Sequence, residues 1–347
     1  MNYCEKYFEE LHKASLSIDL SPMNGKSIVI TGGSGLILSS LVDILCYYNT
    51  HSGGNINIYL AARTENEISD RFTEYYGQPW LNFVYYDALK PVDFSFKADY
   101  IIHGASNAHP ASYATEPVET LLANVTGIKE LLDYAKNSGS KRVLYISSSE
   151  VYGKKDEARP YKEDDYGFVD ILNPRACYPS GKRASETLCS AYTAEYGVET
   201  VIVRPGHIYG PTMTDYDSRA TAQFTRDVQA GRDIVMKSAG TQLRSYCYSA
   251  DCATAILTVL LKGKAGEAYN ISNKDSIVSI RQIAEEFAHA AGRKVVFESA
   301  SDAEQKSFNM MDNSSLCSDK LESLGWKAAY NCADGVRETL NIYMKKS

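Results

Sequence analysis

The feature that most constrains this chain is an alternation of short apolar runs with helical stretches, opened by a glycine-rich turn. Ser27-Ile-Val-Ile-Thr31 is a brief β-branched run that reads as a buried strand. It passes directly into Thr31-Gly-Gly-Ser-Gly35, and Ser39 to Tyr48 continues as a helix. Further strands are expected at Ile56–Ala61, Asn82–Tyr86, Tyr100–His103, Arg142–Ser147 and Thr200–Arg204, and long helices at Pro117–Lys136 and Ala176–Tyr196. Strands alternating with helices make a doubly wound parallel sheet, so the fold class is α/β.

The pattern loosens after Pro205. Loop residues dominate from Gly206 to Ser218, and helices at 219–230, 250–262, 279–291 and 333–345 are separated by short strands. The expected division is an N-terminal helical extension over 1–25, a nucleotide-binding domain over 26–205, and a smaller mixed α/β substrate domain over 206–347. Some segments of the last part are expected to return to the first sheet. Tyr7, Phe8 and Leu11 give the extension one apolar face, to pack on the body or on a partner subunit.

Composition narrows the function. At 347 residues and 44% hydrophobic, the chain is long enough for two joined domains and is not disordered. The formal charge of −7 and the lack of a basic block argue against nucleic acid. No apolar run is long enough to span a bilayer, and the acidic first residues do not resemble a signal peptide, so a cytoplasmic protein without membrane contact is expected. The eight cysteines form no Cys-x-x-Cys pair, which disfavours a metal site or redox dithiol and suits reduced thiols.

Gly32, Gly33 and Gly35 lie between a strand and a helix, where glycine lets the backbone turn sharply and lets a diphosphate approach the helix N-terminus. Leu38 stands where a third glycine usually permits close helix–strand packing, so the helix is expected to stand off or tilt. The second strand ends in Ala61-Ala62-Arg63 rather than in an acid. Arg63 could face a 2′-phosphate, stack on adenine, or be a solvated loop residue. Asp87 and Ala88 follow the third strand, where an adenine contact is plausible. Tyr178 and Lys182 are four apart and share a helix face. A nearby lysine cation, together with a nicotinamide cation, would favour the phenolate, lower the tyrosine pKa and suit it to act as a base. They follow Ser147-Ser-Ser-Glu-Val-Tyr-Gly153, whose hydroxyls would hold a sugar and whose Glu150 would accept or position a proton.

Together these residues resemble the extended short-chain dehydrogenase/reductase family, the NAD-dependent epimerases and dehydratases of nucleotide sugars. The resemblance spans roughly 26–346. It rests on Thr31-Gly32-x-x-Gly35, His103-Gly-Ala-Ser106, Asn124-Val-x-Gly127, Ser147 to Gly153, Tyr178-x-x-x-Lys182, Arg204-Pro-x-x-Ile-Tyr-Gly-Pro211 and Leu324-Gly-Trp326. It implies a Rossmann-type fold, bound NAD with NADP left open, a nucleotide-sugar substrate and a homodimer built on the helices from Pro117 and Ala176. Asn173-Pro-Arg-Ala-Cys-Tyr and Ser149-Glu150 look most like UDP-glucuronate decarboxylases, which are lyases. Dehydratases usually carry Asp-Glu at the latter place.

By the same resemblance, Gly32, Gly35, Leu36, Ile37, Arg63, Asp87, Ala88, Gly104, Ala105, Ser106 and Lys182 line the cofactor. Tyr178 is the base at the C4 hydroxyl, Lys182 holds the nicotinamide ribose, Ser148 and Ser149 orient the sugar, and Glu150 assists at C5. Arg175, His207, Arg219 and Arg244 belong to the substrate side, with His207 where decarboxylases often have Asn. The implied chemistry is oxidation at C4 and loss of the C5 carboxylate, giving UDP-xylose or its 4-keto form, in cell-surface polysaccharide synthesis. The alternatives are a 4-epimerase or 4,6-dehydratase or, in another class, a non-catalytic nucleotide-binding protein.

Overall fold

A computed structural model describes residues 3–106, 108, 113, 115–155, 158–299 and 311–344. The expected helix end at 345 and the last residues of the resemblance lie outside them. Seven parallel strands form the main sheet: β1 Ser27–Thr31, β2 Asn57–Ala62, β3 Leu81–Tyr85, β4 Tyr100–His103, β5 Arg142–Ile146, β6 Thr200–Pro205 and β10 Glu267–Ile271. Their order is β10-β6-β5-β4-β1-β2-β3, a doubly wound Rossmann-type sheet in which the direction of winding reverses between β1 and β4.

Alternation along β1 assigns its two faces, because successive side chains of a strand point to opposite sides. Ile28 and Ile30 join one core with Leu41 and Ile44 of helix α2 (Leu36–His51), while Val29 joins a second core. That second core is closed by Ile128 and Leu131 of α3 (Pro117–Ser138) and by Cys189 and Tyr192 of α4 (Cys177–Tyr196). Both helices end on a glycine in the left-handed region, Gly139 at φ 67° and Gly197 at φ 70°, whose amides close on the last turn.

The remaining C-terminal strands are short: β7 His207–Tyr209, β8 Ile234–Met236, β9 Leu243–Tyr248, β11 Ile277–Ser279, β12 Val295–Phe297 and β13 Asn313–Ser314. They form small sheets, β7, β11 and β13 gathering on β9 and β12 pairing with β8. A third core lies among helices α5 (Ala220–Gln229), α7 (Ile280–Ala290) and α8 (Cys332–Met344), built on Phe224, Phe287 and Leu340. Helix α6 (Ser249–Lys262) lies against the main sheet and is buried along almost its whole length.

The extension forms helix α1 (Glu5–Leu16), which packs on the body. Tyr7 and Leu11 are fully buried in the first core and Phe8 is partly buried against it. Tyr3 and Tyr7 donate to the two oxygens of buried Asp43 on α2, at 2.7 and 2.6 Å. Arg71 completes the cluster, 2.5 Å from Asp43 and 2.9 Å from the Tyr3 hydroxyl.

Candidate active site

Ligands of open α/β sheets bind beyond the carboxyl ends of the strands, where the strand order reverses. Here that place lies between Thr31, ending β1, and His103, ending β4, which pair in register. Thr31 Oγ1 accepts the amides of Gly104 and Ala105, each at 3.2 Å, so its own proton goes to His103 Nδ1 at 2.7 Å. Burial, then the Lys182 charge, lowers the His103 pKa to about 3. The neutral ring is thus a clamp between the two strand ends.

Glycine is required at the turn for two reasons. Gly32 has φ 74°, and a Cβ there would lie 2.8 Å from the Ala105 nitrogen. Gly35 caps α2, and the atom closest to a Cβ placed there is the Gly32 carbonyl oxygen at 3.4 Å. The turn is therefore a cradle that a side chain would fill, with the first amides of α2, Leu36 and Ile37, left without intrahelical partners. A dinucleotide's diphosphate fits that chemistry. Leu38 is buried, and the room it needs comes from Gly104: a Cβ there would collide with Leu38 Cδ1.

The outer cofactor candidates are less enclosed. Arg63 is exposed just past β2. Asp87 accepts the Leu89 amide at 3.0 Å and faces Lys90 at 3.7 Å, and Ala88 is half-buried. Ser106 donates to Asn124 Oδ1 of α3 at 3.0 Å.

The chemistry-bearing side chains gather at the end of β5. Ser148 caps a short 3-10 turn, Ser149–Tyr152, its Oγ accepting the Glu150 amide at 3.2 Å. Arg183 holds that turn from α4 through the carbonyls of Val151 and Tyr152. Arg204 of β6 donates to the Tyr152 hydroxyl at 3.0 Å and pairs with Glu186 at 2.6 Å, so it is a structural tie. Tyr178, in the first turn of α4, is 7% exposed, and the Ser148 hydroxyl is near enough to oppose the rise of its pKa. Ser148 Oγ already accepts an amide, so its proton is free for a neighbouring acceptor.

By itself the chain does not lower the Tyr178 pKa. Tyr178 is raised to about 12 by burial and by the charge of Glu150, against the lowering effects of Ser148, Arg219 and Tyr113. Lys182 donates to the Ile146 carbonyl at 2.8 Å, and its nitrogen lies 5.7 Å from the Tyr178 ring centre. Burial lowers Lys182 itself to about 7. Spacing four apart does set both on one face, but without a bound ligand hydroxyl donors and Arg219, rather than Lys182, oppose the rise.

Glu150 and Arg175 occupy each other: both carboxylate oxygens take a guanidinium nitrogen, at 2.9 and 3.0 Å. Arg219 is likewise held by Asp217, at 2.9 and 2.5 Å. Arg244 differs. It is 2% exposed, the one hydrogen bond of its side chain among the described residues is to the Leu243 carbonyl at 2.8 Å, and burial lowers its pKa. Tyr246 follows two places along β9, on the same face, and pairs in register with His207 of β7. Burial, then Arg244 and Arg219, lowers His207 to about 3, leaving a neutral ring whose Nδ1 has no hydrogen-bond partner among the described residues. Ser149 is buried beside Ser148.

One residue of this cluster escaped sequence reasoning. Tyr113 is 3% exposed and stacks on Tyr178, ring centres 4.7 Å apart and planes 19° apart. Its ring also faces Arg175, 4.8 Å from the guanidinium carbon. It sits outside any apolar periodicity, so no local signal announces it. All eight cysteines are free, and no cluster of metal-ligating side chains occurs among the described residues. No helix of the described residues is long and apolar enough to cross a membrane.

The model of the NAD dependent epimerase/dehydratase family matches residues 28–272. UDP-glucuronic acid decarboxylase 1 of Xenopus tropicalis is 29% identical over 329 residues, covering 94% of this chain and 74% of its own. UDP-glucuronic acid decarboxylase 6 of Arabidopsis thaliana is 33% identical over 246 residues, 71% of this chain and 69% of its own. Among solved structures, the UDP-glucose 4-epimerase of Thermotoga maritima with UDP-glucose aligns with TM-score 0.77 at 21% identity, over 92% of this chain and 99% of that one. A dTDP-glucose 4,6-dehydratase double mutant of Streptomyces venezuelae with NAD bound gives 0.76 at 22% identity, over 92% and 97%. At such identities the structures speak for the fold. The chain belongs to the NAD dependent epimerase/dehydratase family.

Proposed function

We propose that this protein is a nucleotide-sugar-modifying enzyme that uses NAD, and that it decarboxylates UDP-glucuronate to UDP-xylose or its 4-keto form. The observation that carries the reading is a buried arginine, Arg244, without a carboxylate within ion-pair distance among the described residues, within electrostatic reach of the same Glu150 that acts on Tyr178. The named decarboxylase relatives support the same reaction.

Gly32, Gly35, Leu36 and Ile37 would hold the diphosphate of NAD, Gly104 to Ser106 its inner face, Lys182 the nicotinamide ribose, and Arg63 with Asp87 and Ala88 the adenosine side. When bound, NAD supplies a hydride acceptor for a sugar carbon. Tyr178 takes the proton of the C4 hydroxyl, and the nearby Ser148 hydroxyl stabilises the charge that proton transfer leaves there. Ser149 orients the sugar. A C5 carboxylate is β to a C4 ketone, so carbon dioxide leaves while the electron pair of the broken carbon–carbon bond passes into an enolate, which is then protonated at C5 to give the 4-keto form; return of the hydride to C4, with the proton from Tyr178, would complete UDP-xylose. Glu150, held by Arg175, is placed to assist there. Arg244 receives an anionic group of the substrate through charge-assisted hydrogen bonds, His207 and Arg219 lie at the same end, and Arg175 acts on Glu150.

The reading extends to a homodimer on α3 and α4, where Val118, Leu121 and Leu122 are exposed on α3. Proton NMR with NAD⁺ and UDP-glucuronate tests the reaction. UDP-xylose or its 4-keto precursor is expected. An unchanged spectrum with cofactor bound would overturn UDP-glucuronate as substrate and bring forward a 4-epimerase or 4,6-dehydratase. Inactivity across a panel of nucleotide sugars would bring forward a non-catalytic binder.

A further inference from the structure

One buried arginine grips both of the elements that carry the reacting groups. Arg204 lies near the end of β6 with its guanidinium in the protein interior. Its Nε and one Nη meet the two carboxylate oxygens of Glu186, at 2.9 and 2.6 Å. The other Nη donates to the Tyr152 hydroxyl at 3.0 Å and to the Glu163 carbonyl at 2.7 Å. The guanidinium carbon also faces the Tyr152 ring, 5.0 Å from its centre.

The two side-chain partners belong to different parts of the site. Tyr178, Lys182 and Glu186 recur every four residues and so share a face of α4. Lys182 fastens that face to β5 through the Ile146 carbonyl, and Glu186 fastens it to β6 through Arg204. Tyr152 ends the 3-10 turn that Ser148 caps and that holds Ser149 and Glu150. Its hydroxyl accepts from Arg204, so its own proton goes to Asn270 Oδ1 of β10, at 2.5 Å. Asn270 is held in turn, its Nδ2 donating to the carbonyls of Tyr161 and Cys317 at 3.0 and 3.1 Å. Tyr152 and Asn270 are fully buried, so neither can exchange its partner for water.

We propose that Arg204 is a positioning residue that sets Tyr178 against Ser148 and Glu150, by gripping the helix of the first and the turn of the other two. This rests on the reading of those three as the reacting groups. Arg183 already joins the turn to α4 through the Val151 and Tyr152 carbonyls; Arg204 adds the sheet as a common reference for both. A two-pronged grip on a carboxylate fixes angle as well as distance. A misplacement of about 1 Å between reacting groups costs about 10²-fold in rate.

Tyr152→Phe keeps the ring and the Glu186 pair but releases the turn. Arg204→Lys keeps the charge but loses the two-pronged grip. Fluorotyrosine at position 178 gives a fluorine resonance that reads the surroundings of that ring without any turnover. In both variants the resonance should shift, and kcat per folded molecule should fall about tenfold with KM unchanged, as a misplacement of well under 1 Å would give. Arg142→Lys is the control. Arg142 grips Glu199 at 3.0 and 2.6 Å and the Leu260 and Gly263 carbonyls at the opposite end of β5, so its loss should lower the melting temperature alone. An unmoved resonance in folded Tyr152→Phe and Arg204→Lys protein overturns the proposal, as does an equal shift in Arg142→Lys. A parent-like kcat in those two variants, where Tyr178→Phe has lost activity, overturns it as well. Tyr152→Phe, which leaves the ion pair intact, carries the test if Arg204→Lys does not fold. Tyr178→Phe protein as active as the parent overturns instead the reading of Tyr178 as base, and the fluorine resonance then decides the role of Arg204.

Discussion

Two regions of this molecule are each built from two tyrosines, a carboxylate and an arginine, and do opposite things. Near the N-terminus, Tyr3 and Tyr7 meet Asp43 and Arg71; in the crevice, Tyr113 and Tyr178 meet Glu150 and Arg175. In the first cluster both tyrosines donate to a carboxylate that is fully buried, and the arginine binds the same carboxylate. Burial and Asp43 push both phenols far above the ordinary range. They are fixed as donors and can only hold the extension in place. In the second cluster the arginine binds the carboxylate, which is 24% exposed, and the two tyrosine rings stack on each other. Among the described residues neither of these tyrosines gives its proton to that carboxylate. What a buried tyrosine does is thus set by whether a carboxylate holds its proton.

The sharpest way to break this comparison is to remove one member from each cluster. Tyr178→Phe is expected to slow hydride transfer by about 10²–10⁴, the range for a general base, with a melting temperature close to the parent's. Asp43→Ala should do the reverse. It leaves Arg71 buried and unpaired, a cost of about 3–5 kcal/mol, while kcat per folded molecule stays the same. Calorimetry beside stopped-flow absorbance reads both, and a Tyr178→Phe protein that melts much lower but reacts normally would reverse the roles assigned here.

A smaller effect separates the arginines. Lysine cannot reproduce a two-pronged contact. Arg71→Lys should destabilise by about 1–2 kcal/mol, as a buried charged hydrogen bond does. Arg175→Lys should change stability by no more than about 1 kcal/mol, since the pair is partly exposed, but should lower turnover. Equal melting shifts for the two variants would count against the contrast.

The smallest expected effect concerns pH. Glu10, on α1, is bonded to the Tyr248 hydroxyl, and burial raises it from 4.5 to about 8 against the lowering effect of that bond, with Glu338 and Asp251 adding to the rise and Lys13 opposing it. Between those values the folded chain keeps a proton that the unfolded chain has released. Stability is therefore lost as pH rises through this window, and the loss is complete above it. Asp251, raised by burial to about 7, acts in the same sense. Because His103, His207 and Lys182, all lowered by burial, gain stability over parts of the same range, the difference between two proteins is the test: from pH 5 to 8.5 the parent should lose melting temperature relative to Glu10→Gln. A slope unchanged in Glu10→Gln would remove Glu10 as its source.

Much of the fold was legible because its signals are local. β-branched runs bounded by turn residues placed six of the main sheet's strands to within a residue or two, and the glycine turn was readable because Gly32 needs a positive φ and a close backbone approach. The spacing of Tyr178 and Lys182 placed them on one helix. The site's partners were less legible: nothing in the sequence pairs Arg175 with Glu150, and Leu38 read as a misfit until Gly104 faced it.

By itself the sequence determined periodicity, backbone freedom and the order of strands and helices along the chain, since these depend on neighbours within a turn or a pleat. The tertiary structure decided which distant side chains meet, because sheet order and crossover helices bring loops together that no local pattern relates. Tyr113 stacked on Tyr178 and Arg71 closed on Asp43 are both of that kind. Their physical origin is the same: a buried polar group must find a partner, and only the folded chain determines which one is within reach.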